Sequence, residues 1–456
     1  MSQHIPFDGL MAQITELNPV RAIGRVTCVE GRVVLISGLA GKARIGDLAI
    51  IYRRGEPLSG EIVKLDQDTL VLLPDHPPEG VALNDRAALL EARGIAPSDG
   101  WIGRTIDPFG NPLDGKPLLR GATARSLRTT PPEPAERRAM GERLSTGMTV
   151  FNTMLPLVQG QRIGLFAGSG VGKSSLLGHF AKHLEADVVV LALIGERGRE
   201  LRHFIEKVLG AEGLRRAVVV CATSNESALV RRRCAWAAMS VAEHFRDQGK
   251  SVLYLADSIT RFAEAHREVA VAAGEAPVLR GFPPSTAHMI MALCERAGPG
   301  ADVQGDITGV FSVLVTGSDM EEPVADILRG VLDGHVVLDR EIAERGRYPA
   351  IDVLKSVSRS LPDAASATEN TSLSRARYLL SLYEQNAVMI RAGLYNQGSD
   401  TELDAAIRVW SDLDDFIAKL ERQDVSHSFA QLEMILRKSK YAPDHGGTKP
   451  RPNSAA

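Results

Sequence analysis

The chain has 456 residues, which at about 150 residues per domain suggests two or three domains. Apolar residues make up 44% and charged residues 24%, and the formal net charge of −3 excludes a global attraction to nucleic acid or an anionic membrane. Four scattered cysteines (Cys28, Cys221, Cys234, Cys294) argue for a reducing compartment without zinc site or disulfide framework, no signal-peptide pattern opens the chain, and the longest apolar run, 188–194, is too short to span a bilayer, so the expected location is cytoplasmic.

In chain order, the segment 1–18 sets Phe7, Leu10, Met11, Ile14 and Leu17 on one helical stripe, with Asp8 as N-cap and Asn18-Pro19 as the stop. That stripe either packs on the following domain or docks a partner. Over 19–92, short β-rich runs broken by glycine (Arg32–Ile36, Asp47–Tyr52, Thr69–Leu73) predict a small β-barrel. Residues 93–145, rich in Pro, Gly and Arg, read as a connecting segment of turns. Over 146–371, apolar strands at Arg162–Phe166, Val188–Ile194, Ala217–Cys221, Val252–Ala256 and Val310–Val315 alternate with helical stretches, the pattern of a mostly parallel sheet covered on both faces. Thr223-Ser224-Asn225-Glu226 reads as a capping box ahead of a helix running to Phe245. Arg231-Arg232-Arg233 then falls near that helix start, as a solvated face rather than a nucleic-acid site. Residues 372–440 are predicted helical, with Leu373, Ala376, Leu379, Leu380 and Tyr383 in register, and 441–456 are predicted to be a disordered tail.

The residues that carry chemistry start at Ala167-Gly168-Ser169-Gly170-Val171-Gly172-Lys173-Ser174, between an apolar strand and the helical stretch beginning at Ser175. Strand, glycine loop and helix form the context of a phosphate-binding P-loop, although Ala167 stands where the first glycine is usual. Backbone N–H groups would cradle phosphate oxygens, Lys173 would meet the β- and γ-phosphates, and the Ser174 hydroxyl would ligate Mg²⁺. Asp257 ends an apolar strand, the expected form of the carboxylate that holds Mg²⁺ with Ser174. Glu196 ends another such strand and is the candidate to polarise the attacking water, or else an acid complementing a helix dipole. Arg197 and Arg261 are candidate phosphate clamps, or ordinary ion-pair partners.

Several motifs, taken in order, resemble a known family. They are Gly103-Arg104-Thr105-Ile106-Asp107-Pro108-Phe109-Gly110-Asn111-Pro112-Leu113-Asp114-Gly115, the P-loop, Gly195-Glu196-Arg197-Gly198-Arg199-Glu200, Asp257-Ser258-Ile259-Thr260-Arg261-Phe262, Tyr348-Pro349-Ala350-Ile351-Asp352-Val353 and Ser356-Val357-Ser358-Arg359. Over roughly residues 20–440 the chain resembles the rotary-type hexameric ATPases that include the catalytic β subunit of ATP synthase. The extension of the Asp257 motif to Glu268, and Gly393-Leu394-Tyr395-Asn396-Gln397-Gly398-Ser399-Asp400, resemble the flagellar and type III protein-export ATPases in particular.

The resemblance implies an α/β P-loop NTPase with a RecA-like parallel sheet, an N-terminal β-barrel and a C-terminal α-helical domain. It implies Mg-dependent ATP hydrolysis, with Lys173, Glu196, Arg197, Asp257 and Arg261 at the phosphates, Tyr348 stacked on adenine, and Arg359 reaching a neighbouring subunit as an arginine finger. It also implies a homohexameric ring, a cytosolic regulatory or stator protein docked through residues 1–18, a stalk-like protein, export substrates with their chaperones, and peripheral contact with an inner-membrane export gate. Nucleic acid is not an expected partner, because residues 21–90 lack the aromatic and basic clusters of a single-strand binder. The alternatives are a catalytic subunit of a rotary proton- or sodium-coupled ATP synthase and a virulence-type secretion ATPase. A noncatalytic nucleotide-binding subunit is argued against by Glu196.

Overall fold

The computed structural model describes residues 20–90, 94–278, 280–315, 321–421 and 423–440, together with Gly9, Met11 and Ile14. The expected amphipathic segment 1–18 otherwise lies outside the described residues, as does the expected disordered tail 441–456. Of the apolar stripe, Met11 and Ile14 are 59% and 55% exposed.

Alternation of apolar and polar side chains over short runs builds the first domain. Strands β1 (Ile23–Glu30), β2 (Val33–Ser37), β3 (Leu48–Tyr52), β4 (Leu58–Leu65), β5 (Thr69–Pro74) and β6 (Arg86–Leu90) close into a barrel in the order β1-β2-β5-β4-β3-β6. Every second residue turns inward, and Val34, Ile36, Ala49, Ile51, Leu70 and Leu72 are fully buried. Closure leaves no unpaired sheet edge.

The segment after the barrel does more than connect. Its Thr105–Ile106 forms a short strand, β7, on the edge of the large sheet, and Ile95, Trp101 and Ile106 are buried in the core of the next domain. The other strands of that sheet are β8 (Arg162–Ala167), β9 (Val188–Glu196), β10 (Ala217–Thr223), β11 (Val252–Asp257), β12 (Gly298–Pro299), β13 (Asp306–Leu314), β14 (Gly334–Leu338) and β15 (Ile351–Ser358). Their order is β15-β14-β8-β13-β11-β9-β10-β7, parallel from β14 to β7, with β15 antiparallel at one edge and β12 paired to β13. Strand β9 shows why the sheet needs cover on both faces. Val189, Leu191 and Leu193 enter one core, and Val188, Val190, Ala192 and Ile194 enter the other.

Helix α1 (Lys173–His183) lies on the first face. Helices α2 (Ala228–Arg246), α3 (Ile259–Ala272), α4 (Ser285–Glu295) and α5 (Pro323–Val331) cover the second. The N-cap of α2 is Ser227, whose hydroxyl accepts from the Val230 N–H, and not Thr223 as the box pattern suggested. Thr223 is still in β10, paired with Glu196, and its hydroxyl is used on Asn225, so the helix cannot begin there.

The arginine run at the start of α2 is not a solvated face either. Arg232 is 4% exposed and pairs with Glu61 of the barrel at 2.8 Å, Arg231 pairs with Glu268 at 2.8 Å, and Arg233 donates to the Pro108 carbonyl. The barrel covers this helix end, with Val63 and Leu73 packed on Ala228, Leu229, Ala265 and Val269. Interior cations of this kind persist where each has an acceptor.

The helical region consists of α6 (Ala367–Arg391), α7 (Thr401–Ala418) and α8 (Val425–Lys440). A reciprocal capping box between Ser366 and Glu369 starts α6 at Ala367, ahead of the boundary at 372 read from the pattern. Leu373, Leu379, Leu403, Phe416 and Leu432 join the same core as Phe180 of α1, so this region packs on the face that carries the P-loop helix. Among the described residues, no helix is long and apolar enough to cross a membrane.

Candidate active site

A parallel sheet brings the carboxyl ends of its strands to one edge, and the site is assembled there. Strand β8 ends at Ala167, residues 168–172 form the loop, and α1 starts at Lys173. Ala167 is fully buried with its methyl group in the core, so the position acts as the last strand residue and does not need a glycine. Gly170 and Gly172 do need to be glycine, with φ of +79° and +96°. Gly172 is the N-cap of α1 and provides no side-chain acceptor, which leaves the first-turn N–H groups directed at the loop. That is the geometry of an anion cradle, reinforced by the positive end of the helix dipole.

Asp257 ends β11 and is buried. One carboxylate oxygen, Oδ1, pairs with the Lys173 ammonium and accepts a hydrogen bond from Ser312 at 2.8 Å. Ser312 was not singled out from sequence; the available signal was a lone hydroxyl inside the apolar run Val310–Val315, level with the strand end that carries Asp257.

Glu196 ends the neighbouring strand β9 and, with Ser174 and Asp257, lines a cleft of about 430 Å³. Arg197, Arg199, Glu200 and Phe204 form its other side. Burial pushes the Glu196 carboxyl up to about 7, the charge on Asp257 adds to the shift, and Lys173 opposes it. A carboxylate with that affinity for protons is a competent acceptor near neutrality.

The remaining candidates divide by position. The Tyr348 ring stands beside the P-loop, where a Cβ on Gly172 would come within 3.3 Å of it, and it is 53% exposed, leaving a face open to a ligand. Arg261 lies against Gly195, pairs with Glu264 at 2.9 Å and keeps a buried Nε with no hydrogen-bond partner. Arg197 lines the cleft with a side chain 81% exposed, paired to Glu200 at 3.7 Å.

Arg359 does not join this chain's cleft. Strand β15 runs antiparallel to β14, so Ile351 faces Leu338 at the P-loop edge and Ser358 faces Gly334 at the opposite edge. Along β14, from Gly334 to Leu338, these edges are about 13 Å apart at the usual rise per strand residue. The Arg359 N–H donates to the Asp333 carbonyl and its guanidinium to Arg329 O at 3.2 Å, and the residue is exposed.

The donor set fits magnesium. Ser174 Oγ and the Asp257 carboxylate are hard oxygen donors, and among the described residues no group of three or more His, Cys, Asp or Glu converges to form an all-protein cage. A hydroxyl and one carboxylate, completed by phosphates and water, is the usual Mg²⁺ environment in nucleotide sites.

Comparisons with known proteins find similarity along most of the chain. Residues 147–358 match the ATP synthase alpha/beta family, nucleotide-binding domain, and 365–435 match the T3SS EscN ATPase C-terminal domain. The flagellum-specific ATP synthase of Caulobacter vibrioides is 43% identical over 438 residues, covering 94% of this chain and 99% of that protein. That of Bacillus subtilis is 43% identical over 401 residues, 86% of this chain and 90% of that one. Among solved structures, the assembled ATPase EscN from the enteropathogenic E. coli type III secretion system superposes with a TM-score of 0.83 at 35% identity, covering 91% of this chain and 100% of that chain.

Proposed function

This chain belongs to the flagellum-specific ATP synthases within the ATP synthase alpha/beta family, and on that premise we propose that it is the ATP-hydrolysing motor of the flagellar type III protein-export apparatus, working as a homohexameric ring. The observation that carries this reading is one cleft where an open helix N-terminus, Lys173, Ser174, Asp257 and a proton-avid Glu196 meet.

The P-loop from Ala167 to Ser175 holds the phosphates, and Lys173 leaves Asp257 for the β- and γ-oxygens when nucleotide enters. Ser174 and Asp257 would hold Mg²⁺, which when bound would supply charge neutralisation on the phosphates. Glu196 accepts a proton from the attacking water, and Tyr348 stacks on adenine. Of the two clamps, Arg197 lines the cleft with a side chain open to solvent, while Arg261 lies beside Gly195 with a buried Nε that has no hydrogen-bond partner.

Arg359 completes the site of the next subunit. Its distance from its own P-loop supports action in trans, and a head-to-tail contact that closes gives each subunit one finger donated and one received. EscN, a solved relative, forms an assembled ATPase and a complex with its central stalk EscO, which supports a ring and a stalk-like partner for this chain. Flagellum-specific relatives favour the flagellar over the virulence setting. The same reading places the protein in the cytoplasm against the inner-membrane export gate, handling export substrates and chaperones, with residues 1–18 bound to a regulatory or stator protein.

Mixing tests the reading. Lys173→Ala and Arg359→Ala chains are each inactive alone, the latter slowed by a factor on the order of 10³ or more. Co-assembled, they regain part of the wild-type rate, because some interfaces join an intact P-loop to an intact finger. Full activity of Arg359→Ala alone refutes action in trans.

A further inference from the structure

The loop that carries Tyr348 is held from outside the nucleotide-binding sheet. Arg347 turns its guanidinium back across this loop and donates from Nη1 to the Pro349 carbonyl at 3.1 Å and from Nη2 to the Ile351 carbonyl at 3.0 Å. Those two carbonyls fix the backbone just beyond Tyr348. The remaining edge of the guanidinium, at Nε, forms an ion pair with Asp414 Oδ1 at 3.2 Å without hydrogen-bond alignment, and Asp414 belongs to α7 of the helical region. Arg345 reaches the same oxygen at 3.7 Å, and its guanidinium lies 5.6 Å from the centre of the Trp410 ring one turn earlier on α7. Trp410 is in turn stacked on Tyr383 of α6 at 4.6 Å.

A planar cation nearly removed from water, with two carbonyls as acceptors, needs a counter-charge to stay in place. Asp414 is the carboxylate paired with it, Asp352 adds a weaker charge from the same loop's strand, and Asp414 comes from α7 of the helical region. We infer that Asp414 is a positioning residue for the nucleotide base, holding the Tyr348 ring in place through Arg347 so that the helical region sets the affinity for ATP. The inference rests on the reading of Tyr348 as the adenine platform. It places the effect on the base half of the ligand and leaves the phosphate half to the P-loop.

The test measures steady-state hydrolysis by the full chain and competition by inorganic tripolyphosphate, which has phosphates but no base. Asp414→Ala raises the KM for ATP about tenfold, the change expected from losing the weaker range of a base–aromatic stack. kcat holds within about twofold, as for an interaction made equally in ground and transition states. Inhibition by tripolyphosphate is unchanged, and Asp414→Glu restores the KM. Arg347→Lys, which keeps a charge for Asp414 but cannot span both carbonyls, raises the KM in the same way and serves if Asp414→Ala folds poorly. Tyr348→Ala matches them, and combining it with Asp414→Ala adds nothing further, because both act through one ring.

Three results overturn the inference. If Tyr348→Ala raises the KM while Asp414→Ala and Arg347→Lys do not, the platform stands and Asp414 does not position it. If tripolyphosphate inhibition weakens in parallel with ATP binding, Asp414 supports the whole domain and not the base pocket. If Tyr348→Ala leaves the KM for ATP untouched, the platform reading falls and the inference falls with it.

Discussion

Glu196 should impose an acid limb on catalysis near neutral pH. In the free protein its carboxyl is pushed up to about 7, first by burial and then by the charge on Asp257. Water activation requires the ionised form, so kcat/KM, which reports the free enzyme, rises with pH through about 7 and levels off above it. A group with that pKa is about one-tenth ionised at pH 6, so kcat/KM falls about tenfold per unit below 7. A divalent cation bound beside Asp257 in the nucleotide complex would offset the Asp257 contribution to the shift, and the limb in kcat should then lie at lower pH than the limb in kcat/KM. Glu196→Gln keeps the shape but cannot take the proton, so it binds Mg-ATP, loses about 10²- to 10⁴-fold in rate, and loses the limb. The assay is phosphate release from pH 5.5 to 8.5 at saturating magnesium, with nucleotide binding followed over the same range. That second measurement separates out the terminal phosphate of ATP, which titrates nearby at about 6. A flat kcat/KM between pH 6 and 8, or a Glu196→Gln variant that keeps the limb, refutes the assignment.

Lys173→Ala should abolish hydrolysis, a loss of about 10³-fold or more, with an unchanged circular-dichroism spectrum, since a phosphate clamp is lost at a helix start where alanine is tolerated. Ser312→Ala removes a hydroxyl that donates to a charged group, worth about 1.5–3 kcal/mol, and should raise the magnesium concentration for half-maximal activity about 10- to 100-fold; an unchanged magnesium titration shows that Lys173 alone suffices to hold Asp257. Arg232→Ala should cost about 3 kcal/mol in denaturant unfolding, because it strands Glu61 at the covered barrel contact, although Arg128 remains 3.6 Å from that carboxylate. An Arg232→Ala chain with wild-type stability would show the pair to be neutral.

The sequence exposes this site as far as local pattern reaches. Lys173, Ser174, Asp257 and Glu196 were identifiable because each ends or follows an apolar strand, and a parallel sheet has to deliver such ends to one edge. Patterns failed where a residue's use is decided by a segment far away in the chain. The Thr223 box obeys the rule for helix starts, yet pairing with Glu196 retains Thr223 in its strand and passes the cap to Ser227. The three arginines after it read as a charged surface, and only the barrel, more than a hundred residues earlier, turns Arg232 into an interior cation. Ser312 and Asp414 are invisible for the same reason, since one is a single hydroxyl in an apolar run and the other one acid among several on an amphipathic helix.

Arg359 is the instructive intermediate case. A motif named it, but no local rule says which cleft it serves. The antiparallel course of β15 carries it to the edge of the sheet away from its own P-loop, which supports the proposed action in trans. On the proposed reading, the phosphate cradle at one edge and the exposed Arg359 at the other are used together only when one copy meets another, so the topology of a single subunit is consistent with assembly.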